Sequence, residues 1–367
     1  MLPLNDTSRI SPLVFSNCFN DISNVIKSGR WLFGSYTEKF SKDFAQYIGT
    51  DFCLPVANGT DALEIALRAL NDSYDGEIIT VANAGGYTST ACRLVGLKPV
   101  YIDIDKASLL MDITDLSRVL SKKTVAIVVT HLYGRAVDVS KVKSELIRLG
   151  YDNVKIIEDC AQAHGAKVRG ECVGSFGDIS TFSFYPTKNL GALGDAGAIL
   201  TSNKTLFLKA SKISQYGWNG KYNIEIDHSR NSRMDELQAA ILLNLLPFLD
   251  DWNERRRYIY KEYSKINSSS IEFFKCFDES NVVHLAIVRI KNREKFIEHM
   301  KENGVSADIH YPILDVNQNA WSGLVNDKNL SNSKEALKEI VTIPCFPTMK
   351  DYEIELVCNA LRSWENV

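Results

Sequence analysis

DISTFSFYPTKNLGALGDAGAIL, residues 178–200, decides how the rest of the chain reads. Two β-like runs, Ile179–Phe184 and Ala196–Leu200, flank a turn of glycine and small residues with Lys188 at its head. Glycines 191, 194 and 197 offer positive-φ freedom and close backbone approach, which a solvated loop rarely needs at such density. A lysine held where apolar strands end is partly stripped of water, and desolvation favours the neutral amine. An ordinary lysine, with a pKa of about 10.4, is almost wholly protonated near neutral pH. Carbonyl chemistry needs the free amine, so this placement suits a Schiff-base lysine. The same stretch also reads as a hairpin carrying one more surface lysine.

At 367 residues the chain exceeds the usual ceiling for one core. It divides into a large domain over 1–248 and a smaller one over 249–367, joined by the charged helix DDWNERRRYIYKEY (250–263). A hydrophobic fraction of 45% and a charged fraction of 24% are those of a soluble globular protein. The net charge of -3 gives no electrostatic case for nucleic acid or an anionic membrane. Eight scattered cysteines, with no C-x-x-C and no cysteine–histidine cluster at zinc spacing, fit a reducing compartment and argue against a metal site. The N-terminus carries no basic-then-apolar signal and no apolar run approaches membrane length, so a cytoplasmic location is expected.

Upstream of the glycine-rich turn, 13–48 reads as two helices broken at Ser28–Gly34, with Trp31 and Phe33 in the break. In LPVANGTDALEIALRALND (54–72), a strand over Leu54–Ala57 leads straight into a buried helix opened by Gly59-Thr60-Asp61. Such an N-terminus collects free amide donors and suits a phosphate, although Thr60 or Asp61 also reads as a plain cap. A βαβ rhythm follows: strands Glu77–Val81, Pro99–Ile104, Val125–Thr130 and Lys155–Glu158, helices Ser89–Val95, Leu116–Leu120 and Val142–Leu149. The runs VAIVV and KII are apolar without alternation, the mark of a parallel sheet covered on both faces. Sites in such sheets lie beyond the carboxyl ends of strands, where His131 and Asp159 fall. Asp159 reads either as a cap or ion-pair partner, or as the anion that keeps a pyridine nitrogen protonated. Beyond residue 263 come a strand over Val282–Ile290, a helix over Arg293–Asn303, a strand into HYP (310–312), and helices Ser333–Glu339 and Tyr352–Ser363.

Taken in order, SGRWLFGSYTEKF, VANGTDALEIALRAL, EDCAQAHGA, FSFYPTKNLGALGDAGA, NSRMDELQAA, HYP and IPCFPTMKDYEIELV resemble the DegT/DnrJ/EryC1/StrS family of sugar aminotransferases, essentially end to end. The resemblance implies an α/β fold type I transferase dependent on pyridoxal 5'-phosphate, with a mostly parallel seven-stranded sheet and a smaller C-terminal α+β domain. It implies that Lys188 forms the Schiff base and then carries the proton, that Asp159 pairs with the pyridinium nitrogen, and that Gln162 lies near the ring hydroxyl. Gly59, Thr60 and Ser183 would gather the phosphate, with Asn231 arriving from the other subunit of an obligate homodimer.

Two stretches depart from the family pattern. Where the family stacks an aromatic ring on the cofactor, this chain reads NAGGYTSTACRLVG (83–96); the aromatic column falls on Gly85, or on Tyr87 with a two-residue shift, and we favour Tyr87. After HYP, where a histidine is common, stands Leu314-Asp315-Val316-Asn317. Trp31, Tyr185, Tyr216 and His310 are candidate substrate contacts. NLGALGDAGA and THLYGRAVDV look like the branch acting on 3-keto sugars. The expected reaction moves an amino group from L-glutamate to a dTDP-linked 3-keto-6-deoxyhexose, the alternative being a 4-keto-6-deoxyhexose. The sugar dehydratases of this fold carry histidine in place of the lysine, which Lys188 argues against, and the intact Lys188, Asp159 and Gln162 argue against a regulatory relative.

Overall fold

The computed structural model describes residues 1–10, 12–71, 75–274, 276–322 and 329–364. The N-terminal helices α1 (Pro12–Ser28) and α2 (Ser35–Ile48) precede β1 (Phe52–Val56) and α3 (Gly59–Leu70). Then follow β2 (Glu77–Val81), α4 (Tyr87–Leu94), β3 (Lys98–Ile102), the one-turn α5 (Leu116–Val119), β4 (Thr124–Thr130), α6 (Val139–Leu149) and β5 (Lys155–Asp159). A two-stranded ribbon of β6 (Lys167–Val168) and β7 (Glu171–Cys172) leads to β8 (Ile179–Ser183) and β9 (Gly197–Thr201). Helices α7 (Lys204–Ile213), α8 (Glu236–Leu245) and α9 (Leu249–Tyr263) carry the chain to a three-stranded sheet of β10 (Ile271–Phe273), β11 (Ala286–Ile290) and β12 (Ile340–Ile343). That sheet is accompanied by α10 (Arg293–Glu302), α11 (Ser331–Glu339) and α12 (Asp351–Ser363).

The seven strands of the large sheet lie in the order β1-β9-β8-β5-β4-β2-β3, and only β9 runs against the others. Its double covering explains the unbroken apolar runs. In β4, Ala126 and Val128 join one core with α3, α4 and α7, while Ile127 and Val129 join another with α6. Because six strands are parallel, their carboxyl ends open on one edge. Asn58, Leu132, Asp159 and Ser183 follow or end four different strands, and all meet at that edge.

The lysine turn links β8 to β9 over a bed of aromatic rings. Phe184 is fully buried and meets Phe40 and Phe44 of α2 edge-on at 5.4 and 5.2 Å. Of the three glycines singled out in this turn, only Gly194 takes a positive φ. Gly191 and Gly197 are there for approach: a Cβ would come within 2.5 Å of the Pro186 and Asn58 backbones.

The structure corrects several boundaries. Helix α4 starts at Tyr87, two residues early, because Gly85 and Gly86 take left-handed conformations that launch it. Strand β11 starts at Ala286, since 280–285 pair instead with 133–136 through Ala136 N–H to Ser280 O, Val282 N–H to Gly134 O and Leu285 N–H to Tyr133 O. The segment entering HYP forms a single bridge, Asp308 with Thr342, and Pro312 has no N–H with which to extend it. Residues near 271–273 and 340–343 are strands that short, flat hydrophobic patterning did not announce.

Phe44 packs on Phe40, Phe182 and Phe184 with no exposed surface, so its loss leaves a cavity directly under the lysine turn. Phe44→Ala is expected to cost about 3–5 kcal/mol in denaturant titration; a loss below about 1 kcal/mol would contradict this packing.

Candidate active site

The strand ends enclose a cavity of about 1090 Å³, closed on its far side by 284–286, 306–311 and 342–345 and at its rim by Pro3–Asn5. Lys188 lines it. Its N–H bonds the Tyr185 carbonyl, and Asn5 donates through Nδ2 to the Thr187 carbonyl, which pins the backbone just before the lysine. Behind it, Asn189 donates to Asn253 Oδ1 and to the Val282 carbonyl at 2.8 and 2.9 Å, and lies 3.0 Å from His284 Nδ1. The turn is therefore clamped on both sides of Lys188. Burial lowers the Lys188 amine to about 8, against a weaker opposing pull from Asp159.

Asp159 ends β5. Burial raises its carboxyl, opposed by the Ala161 N–H on Oδ1 at 3.1 Å and by the charge of Lys188. The carboxylate thus has one backbone donor and faces the cavity with capacity to spare. The preceding Glu158 points to the opposite face, fully buried, and accepts from the N–H groups of Gly174, Phe176 and Gly177. Burial alone would raise Glu158; His131 and these donors outweigh it and hold the carboxyl below its usual value. His131 accepts at Nδ1 from Val137 N–H, which leaves Nε2–H to face Glu158 at 3.1 Å. His131 is consequently structural, although it too follows a strand end.

Gln162 is oriented at both ends: Oε1 accepts from Tyr133 N–H at 2.7 Å and Nε2 donates to Tyr311 Oη at 2.9 Å. Tyr133 and Gly134 hold this corner with φ of 63 and 93, a strained turn of the sort found beside functional sites. Tyr87 lies across the mouth, half exposed, its ring 6.0 Å from that of Tyr311 in an edge-on arrangement.

At the opening of α3, neither Thr60 nor Asp61 is the cap. Asn58 precedes the helix, so its side chain reaches Asp61 N–H at 2.8 Å, and Asp61 instead pairs with Arg230 at 2.8 Å. Among the described residues the amides of Gly59 and Thr60 have no backbone or side-chain partner. Gly59 sits against Ser183, where a Cβ would stand 2.6 Å from the serine Cβ, so free amides and a hydroxyl share one concave corner. Two unsatisfied donors at a helix N-terminus beside a hydroxyl suit a phosphate. With a free carboxylate edge at Asp159 and a desolvated amine at Lys188, this donor set fits pyridoxal phosphate.

Of the residues the sequence pointed to, Gly59, Thr60, Tyr87, Asp159, Gln162, Ser183, Tyr185, Lys188 and His310 all line the cavity. Trp31, Tyr216 and Asn231 do not line it on their own chain. Sequence reasoning missed His284 and Tyr311. His284 lies hidden in the apolar run NVVHLAIV, and Tyr311 stands in HYP directly after His310. Burial lowers the pKa of His310, and burial with the charge of Lys188 lowers that of His284 further.

An amine with a pKa near 8 reacts where surface lysines do not. Competitive labelling of the apo protein with acetic anhydride, read peptide by peptide, should show Lys188 reactivity rising through a midpoint near pH 8. A midpoint of about 10.4, that of a solvated lysine, would contradict the desolvation.

The DegT/DnrJ/EryC1/StrS aminotransferase family model matches residues 15–362. A dTDP-3-amino-3,6-dideoxy-alpha-D-galactopyranose transaminase of Aneurinibacillus thermoaerophilus is 37% identical over 366 residues, covering 99% of each chain. A pleiotropic regulatory protein of Geobacillus stearothermophilus is 32% identical, covering 97% of this chain and 96% of its own. Among solved structures, S. venezuelae DesV in complex with a ketimine intermediate superposes with a TM-score of 0.94 at 30% identity, over 100% and 99% of the two chains. NtdA of Bacillus subtilis with bound cofactor PMP gives 0.91 at 28%, over 100% of this chain and 85% of that one. The chain belongs to the DegT/DnrJ/EryC1/StrS family of pyridoxal phosphate-dependent aminotransferases.

Proposed function

We propose that this aminotransferase moves the amino group of L-glutamate to a dTDP-linked 3-keto-6-deoxyhexose. The observation that carries the chemistry is the desolvated Lys188 amine near Asp159 in a cavity whose other corner offers unpaired helix amides. The carbon and the nucleotide rest on the relative at 37% identity, whose product is a dTDP-linked 3-amino-3,6-dideoxy sugar. Amination at carbon 4 is the competing reading, carried by no observation of this cavity.

Pyridoxal phosphate, when bound, supplies an aldehyde carbon and an electron-withdrawing ring through which an amine can be exchanged. The chain's own residues do the rest. Gly59 and Thr60 amides with Ser183 would hold the phosphate, and Asn231 of a second copy would complete that corner. Asp159 would keep the ring nitrogen protonated, because a fixed anion in a dry site stabilises the cation it faces. Gln162, oriented by Tyr133 and Tyr311, would lie near the ring hydroxyl. Lys188, whose amine has no hydrogen-bond partner among the described residues, would take up and return the proton that the exchange moves. Donor and acceptor use one cavity in turn, so ping-pong kinetics are expected.

A homodimer is part of the proposal. Trp31, Phe33, Leu193, Tyr216 and Tyr222 leave between 41% and 76% of their surface in solvent, and a second copy would cover them. Residues 1–248 would hold the cofactor and 249–367 would form the smaller domain. No helix among the described residues is long and apolar enough to cross a membrane.

The discriminating assay follows 2-oxoglutarate formed from glutamate with dTDP-3-keto- and dTDP-4-keto-6-deoxyhexoses in parallel. Turnover with the 3-keto sugar, abolished in Lys188→Ala and reduced roughly a hundredfold or more in Asp159→Asn, is expected. Turnover with the 4-keto sugar alone would overturn the assignment. Mixing inactive Lys188→Ala with inactive Asn231→Ala should restore about a quarter of the activity if sites are shared across a two-fold; no restoration would mean that each chain is complete.

A further inference from the structure

The two stretches where this chain leaves the family pattern meet one another in the fold. Asp315, in the segment after HYP, is fully buried against the start of α4. Its Oδ1 accepts from Gly86 N–H at 2.8 Å and its Oδ2 from Ser89 Oγ at 2.5 Å, while Ser89 Oγ also lies 2.9 Å from Tyr101 Oη. Asp315 N–H in turn bonds the Ala82 carbonyl, at the end of β2. Residue 315 therefore ties down both ends of the 82–89 turn, with its carboxylate at Gly86 and Ser89 and its backbone N–H at Ala82. It does so at a helix N-terminus, where negative charge is favoured.

That turn leaves little freedom to its middle. Gly85 and Gly86 have φ of 80 and 82, and a Cβ on Gly85 would come 3.0 Å from the Tyr311 ring. The next residue is Tyr87, whose ring reaches the cavity mouth edge-on to Tyr311. An aromatic ring placed two residues later than the family's column needs a different support, and the described residues offer one at Asp315. Burial raises the Asp315 carboxyl to about 7, opposed by Ser89 and Gly86.

We infer that Asp315 is a positioning residue that holds the Gly85–Gly86 turn and so sets the Tyr87 ring against the bound cofactor. The inference rests on the cofactor reading above and assigns Asp315 no contact with the cofactor itself. A group that acts only through Tyr87 has nothing left to contribute once that ring is gone, whereas a merely structural defect adds to it.

The test is a double-mutant cycle on pyridoxal phosphate affinity of the apo protein, titrated by absorbance. Asp315→Ala and Tyr87→Ala are each expected to weaken binding by about three- to tenfold, the range for loss of a ring contact. The double variant should bind no more weakly than Tyr87→Ala. Losses that multiply, or an Asp315→Ala protein that binds like the parent, would overturn the inference. If Asp315→Ala does not fold, Asp315→Ser takes its place in the same cycle, keeping a hydroxyl for Ser89 but falling short of Gly86. A parent protein with no Lys188-dependent absorbance would fail the cofactor reading instead, a result separable from any outcome of the cycle.

Discussion

An amine stripped of water but left within reach of an anion is the constraint the structure is built to satisfy. Lys188 is lowered to about 8 by burial even though Asp159 pulls the other way. Keeping such a group in a defined place is costly, because its charged form has lost its hydration. The surrounding features read as means to that end. The lysine turn rests on the Phe40, Phe44 and Phe184 rings, is held before the lysine by Asn5, and is held after it by Asn189. Asn189 bonds to α9 and to the Val282 carbonyl, so the C-terminal part of the chain fixes the residue that the large sheet presents.

The parallel sheet supplies the geometry of convergence. Because six of seven strands point one way, residues separated by more than a hundred positions, from Asn58 to Lys188, reach one cavity. The two acids at the end of β5 show how finely one strand divides labour. Adjacent residues face opposite sides of a sheet: Glu158 is spent on three backbone amides and His131, whereas Asp159 keeps an edge free. One position decides which carboxylate is consumed by backbone amides and which faces the cavity.

Much of this was legible in the residues. The apolar runs announced a doubly covered sheet, the strand-to-helix junction at Gly59 announced an anion corner, and the glycine-dense turn drew attention to Lys188. What stayed hidden was non-local. Nothing near Asp61 shows that Asn58 is the cap or that Arg230 takes the carboxylate, since that ion pair spans the chain. The pairing of 133–136 with 280–285 shortened β11 and delivered His284, and nothing in either segment names the other as its partner. Asp315 looked like a lost histidine and Gly85 like a lost ring; only the fold shows that Asp315 bonds Gly86, the residue next to Gly85. Trp31, Tyr216 and Asn231 lie outside the cavity of their own chain, which no local pattern shows.

Everything converges on the identity of one nitrogen, and trapping it covalently is the most direct test. Apo protein incubated with pyridoxal phosphate, reduced with borohydride and digested should carry the phosphopyridoxyl label on the peptide containing Lys188, at one label per chain. A label spread over the surface lysines, or none at all, would contradict the account.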